Sequence, residues 1–301
     1  MSGGDARDPK PGRLDSTRCR HLNRPATDQR GGLRAVGFER PLARPAGVPP
    51  AGRSDARCGA VLRVDARLRD ARPGRACARA EEYQAMGYRA QKWFFRHGPM
   101  SGPECLRENV ALVRTPRETL GEDDDIMLDC WQSFDPIYAV ELAGRIAEFR
   151  PRWLEECVMP DRIDSYRRAK QRTSIPLSGA EHEYTRWGFK RFIDAEALDV
   201  LQPDIYGAGG LSEVLKIAAY ASAHDLMVIP HGHSTPAGLH FTLAQSPILT
   251  PLKEYGMKWN AINQHFLAHP LVRERGVLTQ PRHAGLGMEL DPAKIEADEE
   301  I

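Results

Sequence analysis

Short apolar runs and segments with helical spacing alternate along most of the chain. Runs of strand length are predicted at 88–95, 126–129, 152–155, 175–179, 199–202 and 226–230, with a last strand near 250–254. Helical spacing of apolar residues falls at 103–119, 136–148, 161–171, 183–193, 210–223 and 236–245, and an earlier helix ends near Gly87. This alternation is typical of βαβ units around a parallel sheet.

About seven strand–helix units predict an α/β protein, a (β/α)-barrel that is close to eight units. The alternative is an open doubly wound sheet, but no glycine-rich phosphate loop follows any predicted strand. Upstream, only residues 60–66 (AVLRVDA) form a candidate strand. We therefore expect a barrel that is incomplete at its first strand.

Three acidic residues end successive predicted strands. Asp129, Glu155 and Glu181 are separated by 26 residues each time, one βα unit. In a barrel they would lie side by side at one rim and repel one another unless a cation neutralised them. Oxygen ligands of this kind suit Mg²⁺. Any one of the three alone would more often be a surface residue or a helix cap.

An aspartate and a histidine follow the next two strands. Asp204 and His231 would be neighbours at the same rim, where the carboxylate orients the imidazole and raises its proton affinity. Alone, Asp204 could be a turn former and His231 a satisfied core residue. The pairing favours a catalytic base.

The first 80 residues differ in composition from the remainder. They hold 17 Arg and one Lys against eight acids, a net charge of +10, whereas the remainder carries −9. They contain one aromatic residue and no isoleucine, too little for a core. A basic nucleic-acid arm and a disordered extension are two explanations; the scarcity of lysine argues against the first, and we do not expect nucleic acid as a partner. A third, which we favour, is GC-rich DNA translated in a shifted frame.

Several protein classes are excluded by the sequence. No apolar run approaches the ~18 residues of a membrane span, and we expect no signal peptide and no membrane partner. Six scattered cysteines form no C-x-x-C pair, which argues against a disulfide scaffold and against a cysteine zinc site, and predicts a cytoplasmic location.

Six segments at the predicted strand ends carry a family resemblance: KWFFRHGP at 92–99, LDCW at 128–131, WLEE at 153–156, GAEHE at 179–183, QPD at 202–204 and PHGH at 230–233. With them, residues 81–292 resemble the barrel domain of the enolase superfamily, mandelate-racemase subgroup. The most similar type is the acid-sugar dehydratases of the L-rhamnonate dehydratase kind. Members commonly form homo-oligomers, which we expect here too.

The resemblance implies Mg²⁺-dependent loss of water from a small-molecule sugar acid such as L-rhamnonate or L-lyxonate, giving a 2-keto-3-deoxy acid. Asp129, Glu155 and Glu181 would hold Mg²⁺, and His231 with Asp204 would remove the C2 proton. The resemblance also implies Lys92 at the substrate carboxyl end. Four further implied residues each have an equally ordinary structural explanation: Glu254 at the developing enediolate, His182 and His233 as substrate or proton contacts, and Trp131 lining the pocket.

Two departures from the family pattern matter. Phe94 stands where racemases carry a second lysine, which favours one-sided elimination. Residues 1–80 are too short and of the wrong composition for the family's capping domain, so the alternative is a truncated, catalytically inactive barrel. We divide the chain into an arm (1–80), a barrel domain (81–292) and an acidic tail (293–301).

Overall fold

The computed structural model describes residues 57–58, 61–64, 73–279, 283 and 285–295, all within one unit that spans Arg44–Ile301. The strands are β1 (Arg57–Cys58), β2 (Val61–Val64), β3 (Ala90–Phe94), β4 (Asp125–Asp129), β5 (Trp153–Glu155), β6 (Leu177–Gly179), β7 (Val200–Leu201), β8 (Met227–Val228), β9 (Lys253–Gly256), β10 (Arg273–Glu274) and β11 (Val277–Thr279). The helices are α1 (Pro73–Ala85), α2 (Gly102–Leu120), α3 (Pro136–Ile146), α4 (Ile163–Lys170), α5 (Thr185–Asp194), α6 (Leu211–Ser222), α7 (Thr235–Ala244) and α8 (Met257–Asn263). Most of the predicted arm, including residues 1–56, and the tail from 296 onward lie outside the described residues.

Eight parallel strands form one sheet in chain order from β2 to β8, with β9 beside β2. Leu62 is aligned with Ala90 of β3 and with Glu254 of β9. In chain order β2 is the first strand of this sheet and β9 the last, and they pair, so among the described residues the ring of ladders is interrupted only between β8 and β9. The predicted barrel is confirmed.

The first strand that we expected to be missing is present. β2 occupies the position between β3 and β9 with a parallel ladder on each side. The candidate strand at 60–66 is therefore the first strand of the barrel, a position that its arginine-rich surroundings do not indicate. Hydrogen bonds to a neighbouring strand on each side stabilise β2 in the sheet, and the composition of β2 alone does not predict this pairing.

The seam between β8 and β9 is joined differently. Among the described residues no ladder links these two strands, but the Val228 N–H donates to the Leu249 carbonyl at 2.8 Å. The buried Lys253 ammonium donates to the His231 carbonyl at 3.4 Å and to the Glu254 carbonyl at 2.5 Å. A side chain thus connects the two strand ends.

The barrel has separate inner and outer apolar cores. The outer core lies between strands and helices and includes Leu128, Leu154, Phe189 and Ile217. The inner one, here called the apolar floor, consists of Ala90, Met127, Trp153, Val200, Ile229 and Leu252. Neighbouring residues such as Met127 and Leu128, or Trp153 and Leu154, belong to opposite cores, as the period of two along a strand requires.

The predicted strand–helix order is confirmed from residue 80 to residue 256, with most strands shorter than predicted. Helix α3, for example, begins where Asp135 accepts hydrogen bonds from the Ile137 and Tyr138 amides, a local signal carried by the sequence. Three features were not predicted: α8, the small antiparallel sheet β1–β11–β10, and the start of α1 before residue 80. β1, β2 and the first part of α1 therefore lie within the segment that composition assigned to the arm.

None of the helices that the structure describes combines the length with the apolar character that crossing a bilayer requires.

Candidate functional site

The predicted site residues gather at the carboxyl ends of the barrel strands, here called the mouth. Their positions are Lys92 within β3, Asp129 at the end of β4, Glu155 at the end of β5, Glu181 and His182 just after β6, Asp204 after β7, His231 and His233 after β8, Glu254 within β9 and Trp131 after β4. The parallel strands all end on the same side, so the placement follows from the topology.

Lys92 lies at the centre of a carboxylate cluster. Its ammonium group is 3.3 Å from Asp129 Oδ2 and 2.9 Å from Glu254 Oε1, and it donates a hydrogen bond to Glu155. Burial opposes its charge, but attraction by these carboxylates outweighs burial and raises the pKa of Lys92 well above its ordinary value. Lys92 is therefore a buried cation that neutralises part of the cluster.

Glu155 is held from both sides. Its second oxygen, Oε2, accepts from the Trp153 indole at 3.1 Å and from the Gln202 amide at 2.9 Å. Gln202 is fully buried and was not among the predicted site residues, although it belongs to the QPD segment. Its position at the end of β7, facing the barrel interior, is the signal that could have identified it.

His231 and Asp204 form the predicted couple. His231 Nδ1 is 3.1 Å from Asp204 Oδ2, while Asp204 Oδ1 accepts from the amides of Tyr206 and Gly207 at 3.0 and 2.9 Å. Burial disfavours the imidazolium, yet the Asp204 hydrogen bond and nearby Glu254 and Glu181 raise the pKa of His231 to about 9. Its other nitrogen, Nε2, is 3.3 Å from Glu181 Oε2.

Glu254 is fully buried beside this couple. Gly232 makes room for it, because a Cβ there would lie 3.3 Å from Glu254 Cγ and 3.1 Å from the Gly256 amide nitrogen. Burial would raise the pKa of Glu254, but Lys92 and His231 lower it, so it is ionised. Its Oε2 has no hydrogen-bond partner among the described residues.

The carboxylates carry more negative charge than the protein cations neutralise. Burial, together with Glu155, raises the pKa of Asp129 well above its ordinary value. Burial likewise raises the pKa of Glu181 to about 7, even with His231 beside it. These carboxylates bind protons more tightly than usual, and one buried oxygen, Glu254 Oε2, has no hydrogen-bond partner among the described residues. Such a set of oxygen donors fits a hard divalent cation such as Mg²⁺.

The ligand geometry offers more than one place for a cation. Among the described residues, three trios have ligand atoms that all lie within 4.8 Å of one another: Glu156 with Glu181 and His182, Asp204 with His231 and His233, and His97 with Cys105 and Glu108. The predicted trio of Asp129, Glu155 and Glu181 is not one of these three, and Lys92 is bonded to two of its members.

Glu156 is the acidic residue that sequence reasoning missed. It is buried, its Oε2 accepts from the Gln132 amide at 2.7 Å, and its Oε1 is 3.2 Å from His182 Nδ1. Gln132 Nε2 is also 2.9 Å from His182 Nδ1. The Glu156 hydrogen bond raises the pKa of His182. His182 is thus oriented from below, while nearly half of its side chain faces solvent.

The backbone turns sharply where these strands end. Trp131, Glu156 and Ala180 have φ values of 44°, 45° and 74°, a left-handed conformation that costs a residue other than glycine about 1–3 kcal/mol. They follow β4, β5 and β6 in turn. Such strain at three adjacent strand ends is typical of a functional site, where the surrounding structure imposes it.

The two remaining predicted residues lie at the outer edge of the mouth. Trp131 is 71% exposed, and its backbone amide donates to Asp129 Oδ1 at 2.9 Å. His233 packs edge-on against His231, with ring centroids 4.3 Å apart, and against Trp259. Core packing therefore does not explain Trp131.

Comparisons with known proteins agree with this architecture. The chain is 33% identical to L-rhamnonate dehydratase of Saccharopolyspora erythraea over 222 residues, 71% of this chain and 56% of that protein. The crystal structure of L-rhamnonate dehydratase from Gibberella zeae is 31% identical, with a TM-score of 0.65 over 80% of this chain and 59% of that one. A racemase from Streptomyces coelicolor A3(2) with bound magnesium is 25% identical, with a TM-score of 0.67 over 80% and 62%.

The chain thus spans a little over half the length of the curated relative that it matches. A family model for the enolase C-terminal domain-like proteins matches residues 75–294, which include nearly all of the described barrel. With the closed β/α barrel and the acidic mouth already established, the chain belongs to the enolase C-terminal domain-like family.

Proposed function

We propose that this chain catalyses the Mg²⁺-dependent dehydration of a sugar acid, an aldonate such as L-rhamnonate or L-lyxonate, to a 2-keto-3-deoxy acid. The observation that carries the proposal is the His231–Asp204 couple, 3.1 Å apart, at the same mouth as the buried carboxylates. Removal of a proton beside a carboxylate needs both a base and strong positive charge, and this mouth can provide both.

Asp129, Glu155 and Glu181 are the residues that would hold Mg²⁺. When bound, the ion supplies positive charge that stabilises the negative charge developing on the substrate carboxyl group. The raised pKa values of Asp129 and Glu181 support this assignment, because they report carboxylates that lack a sufficient counter-charge. Glu156 and His182 offer Glu181 a second set of ligand atoms.

His231 is the proposed base and acid. With Nδ1–H donated to Asp204, Nε2 takes the proton from C2 in the molecules in which it is deprotonated, a fraction that grows as the pH approaches the His231 pKa of about 9. The C2–H electron pair moves onto the carboxyl group and gives an enediolate. When the enediolate collapses, a C2=C3 bond forms, the C3–O bond breaks, and the hydroxyl takes the proton from His231 and leaves as water. The resulting enol then tautomerises to the 2-keto acid.

The other mouth residues have supporting roles in this proposal. Lys92 keeps Asp129, Glu155 and Glu254 together and presents a cation at the substrate carboxyl end. Glu254, whose Oε2 is unpartnered among the described residues, accepts a hydrogen bond from the developing enediolate. His182, His233 and Trp131 contact the substrate from the exposed side of the mouth.

Phe94 favours elimination over racemisation. It stands two residues after Lys92, with the Lys92 ammonium 6.0 Å from its ring, and offers no base on the opposite face of a substrate. A racemase is nonetheless among the structural relatives, so exchange of the C2 proton without loss of water is a measurable alternative outcome.

The second candidate is a catalytically inactive barrel, because Lys92 already bonds to two of the three residues that would hold Mg²⁺. Purified protein should be incubated with a panel of aldonates in Mg²⁺ and assayed for 2-keto acid, with His231→Asn as the matched control. Product formed by the wild type and not by the variant supports the dehydratase. The inactive barrel is supported if the protein is folded and binds Mg²⁺ but gives neither product nor C2 proton exchange with any acid of the panel.

A further inference from the structure

Three metal-ligating side chains meet in the segment that joins β3 to α2. His97 lies in the loop after β3, and Cys105 and Glu108 lie in the first turns of α2. His97 Nε2 is 2.7 Å from Glu108 Oε2, and the ligand atoms of all three residues lie within 4.8 Å of one another. None of the three belongs to the residues assigned to the proposed dehydration.

The fold holds these side chains in place before any ligand arrives. Cys105 and Glu108 are three residues apart and therefore share one face of α2. The His97 carbonyl accepts from the Asn109 amide at 2.8 Å, and Asn109, itself buried, also donates to the Tyr138 hydroxyl at 2.9 Å. His97 is 15% exposed and Glu108 52%, so the cluster is anchored on one side and open to solvent on the other.

The donor set selects a class of ion. It offers one imidazole nitrogen, one sulfur and one carboxylate oxygen, whereas Mg²⁺ prefers oxygen alone. Zn²⁺ takes all three donor types in tetrahedral sites, and three protein ligands leave its fourth position for water. We propose that His97, Cys105 and Glu108 bind Zn²⁺ or a similar borderline transition-metal ion, at a site separate from the Mg²⁺ ligands of the mouth.

Binding would change the local bonding in a defined way. The His97–Glu108 hydrogen bond gives way to bonds from each residue to the ion, and the Cys105 thiol loses its proton to solvent. The ion then cross-links the loop to the helix. Since this loop continues the strand that carries Lys92, metal binding stiffens one wall of the mouth.

Cobalt provides the test, because a thiolate bound to Co²⁺ gives a charge-transfer absorption that oxygen ligands do not. The full chain, kept reduced with a phosphine, is titrated with Co²⁺ in excess Mg²⁺ and then with Zn²⁺. We expect the band to saturate at one equivalent and Zn²⁺ to remove it. Cys105→Ser should abolish the band, and His97→Ala and Glu108→Gln should weaken Co²⁺ binding at least about 10-fold.

Cys77→Ser is the matched control. Cys77 lies 3.7 Å from Glu81 on α1, a cysteine–carboxylate pair without the histidine, so this variant should keep the band. Absence of the band in the wild type, its persistence in Cys105→Ser, or its loss in Cys77→Ser or Cys130→Ser would overturn the proposal. Thermal unfolding gives a second readout: Zn²⁺ should raise the melting temperature of the wild type and of Cys77→Ser but not of His97→Ala.

Discussion

Two layers of side chains inside the same barrel lie two residues apart along six of its eight strands and the residues that flank them. The apolar floor contains Ala90, Met127, Trp153, Val200, Ile229 and Leu252. Two positions further on, the same strands and the turns after them place Lys92, Asp129, Glu155, Gln202, His231 and Glu254, here called the polar layer. Residues i and i+2 face the same side of a strand, so both layers point into the barrel.

The comparison separates what stabilises the fold from what gives it chemistry. Floor residues are fully or almost fully buried and gain free energy by leaving water. Members of the polar layer are buried as well, but their charges oppose burial, and the pKa values of Asp129, His231 and Lys92 are all displaced. The floor should therefore control stability, and the polar layer activity and the response to pH and Mg²⁺.

The largest expected effect comes from the polar layer. His231→Asn removes the proposed base while keeping a polar side chain next to Asp204. We expect the rates of C2 proton exchange and of 2-keto acid formation to fall by about 10²–10⁴-fold. Both rates can be measured by NMR in deuterated water. Activity within a few-fold of the wild type would remove His231 from the mechanism.

The next effect comes from the floor. Met127→Ala leaves a cavity under Asp129 and should lower the free energy of unfolding by about 2–5 kcal/mol, measured with urea. The loss should be the same with and without Mg²⁺, because no floor atom offers a metal ligand. A loss that Mg²⁺ abolishes would mean that the two layers are not separable.

A third prediction concerns pH. Since the pKa of Glu181 is raised from an ordinary 4.5 to about 7, the folded state binds this proton more tightly than the unfolded state does. The stability that this tighter proton binding adds to the folded state is fully present below pH 4.5 and is lost as the pH rises through about 7. It amounts to as much as ~3 kcal/mol in the metal-free protein. The Glu181→Gln variant should lose less stability than the wild type does between pH 5 and pH 8.

The control for this comparison is Glu141→Gln, an exposed acid paired with Arg145 on α3. It should show the wild-type pH dependence in the same urea titrations. Equal pH dependence in Glu181→Gln and the wild type would contradict the assignment of this titration to Glu181.

The smallest effect sharpens the boundary between the layers. Ile229 belongs to the floor and lies two residues before His231. Ile229→Val removes one methylene and should cost about 1 kcal/mol of stability, with the C2 exchange rate unchanged. A drop of 10-fold or more in that rate would show that floor packing positions the base.

The order of strands and helices and the mouth residues could be predicted because each strand end carries its own local pattern. Asp129 and His231 stand directly after apolar runs, and one βα unit separates each strand from the next. β2 was different: the sequence indicates a candidate strand at 60–66, but only the ladders to β3 and β9 identify it as the first strand of the barrel.

Local sequence patterns do not predict the contacts between loops. Glu156 stands beside Glu155, but the left-handed turn at Glu156 directs its side chain to Gln132 and His182. Nor does spacing show that Lys92 bonds to two of the three proposed metal ligands. These features depend on where distant strand ends meet, which only the closed barrel fixes.

The most direct test of the polar layer is anomalous diffraction from crystals soaked in Mn²⁺ as a substitute for Mg²⁺. The account predicts one strong peak at the mouth, within coordination distance of Asp129, Glu155 and Glu181. A peak bound by Glu156, Glu181 and His182 without Asp129, or no peak at the mouth at all, would contradict it.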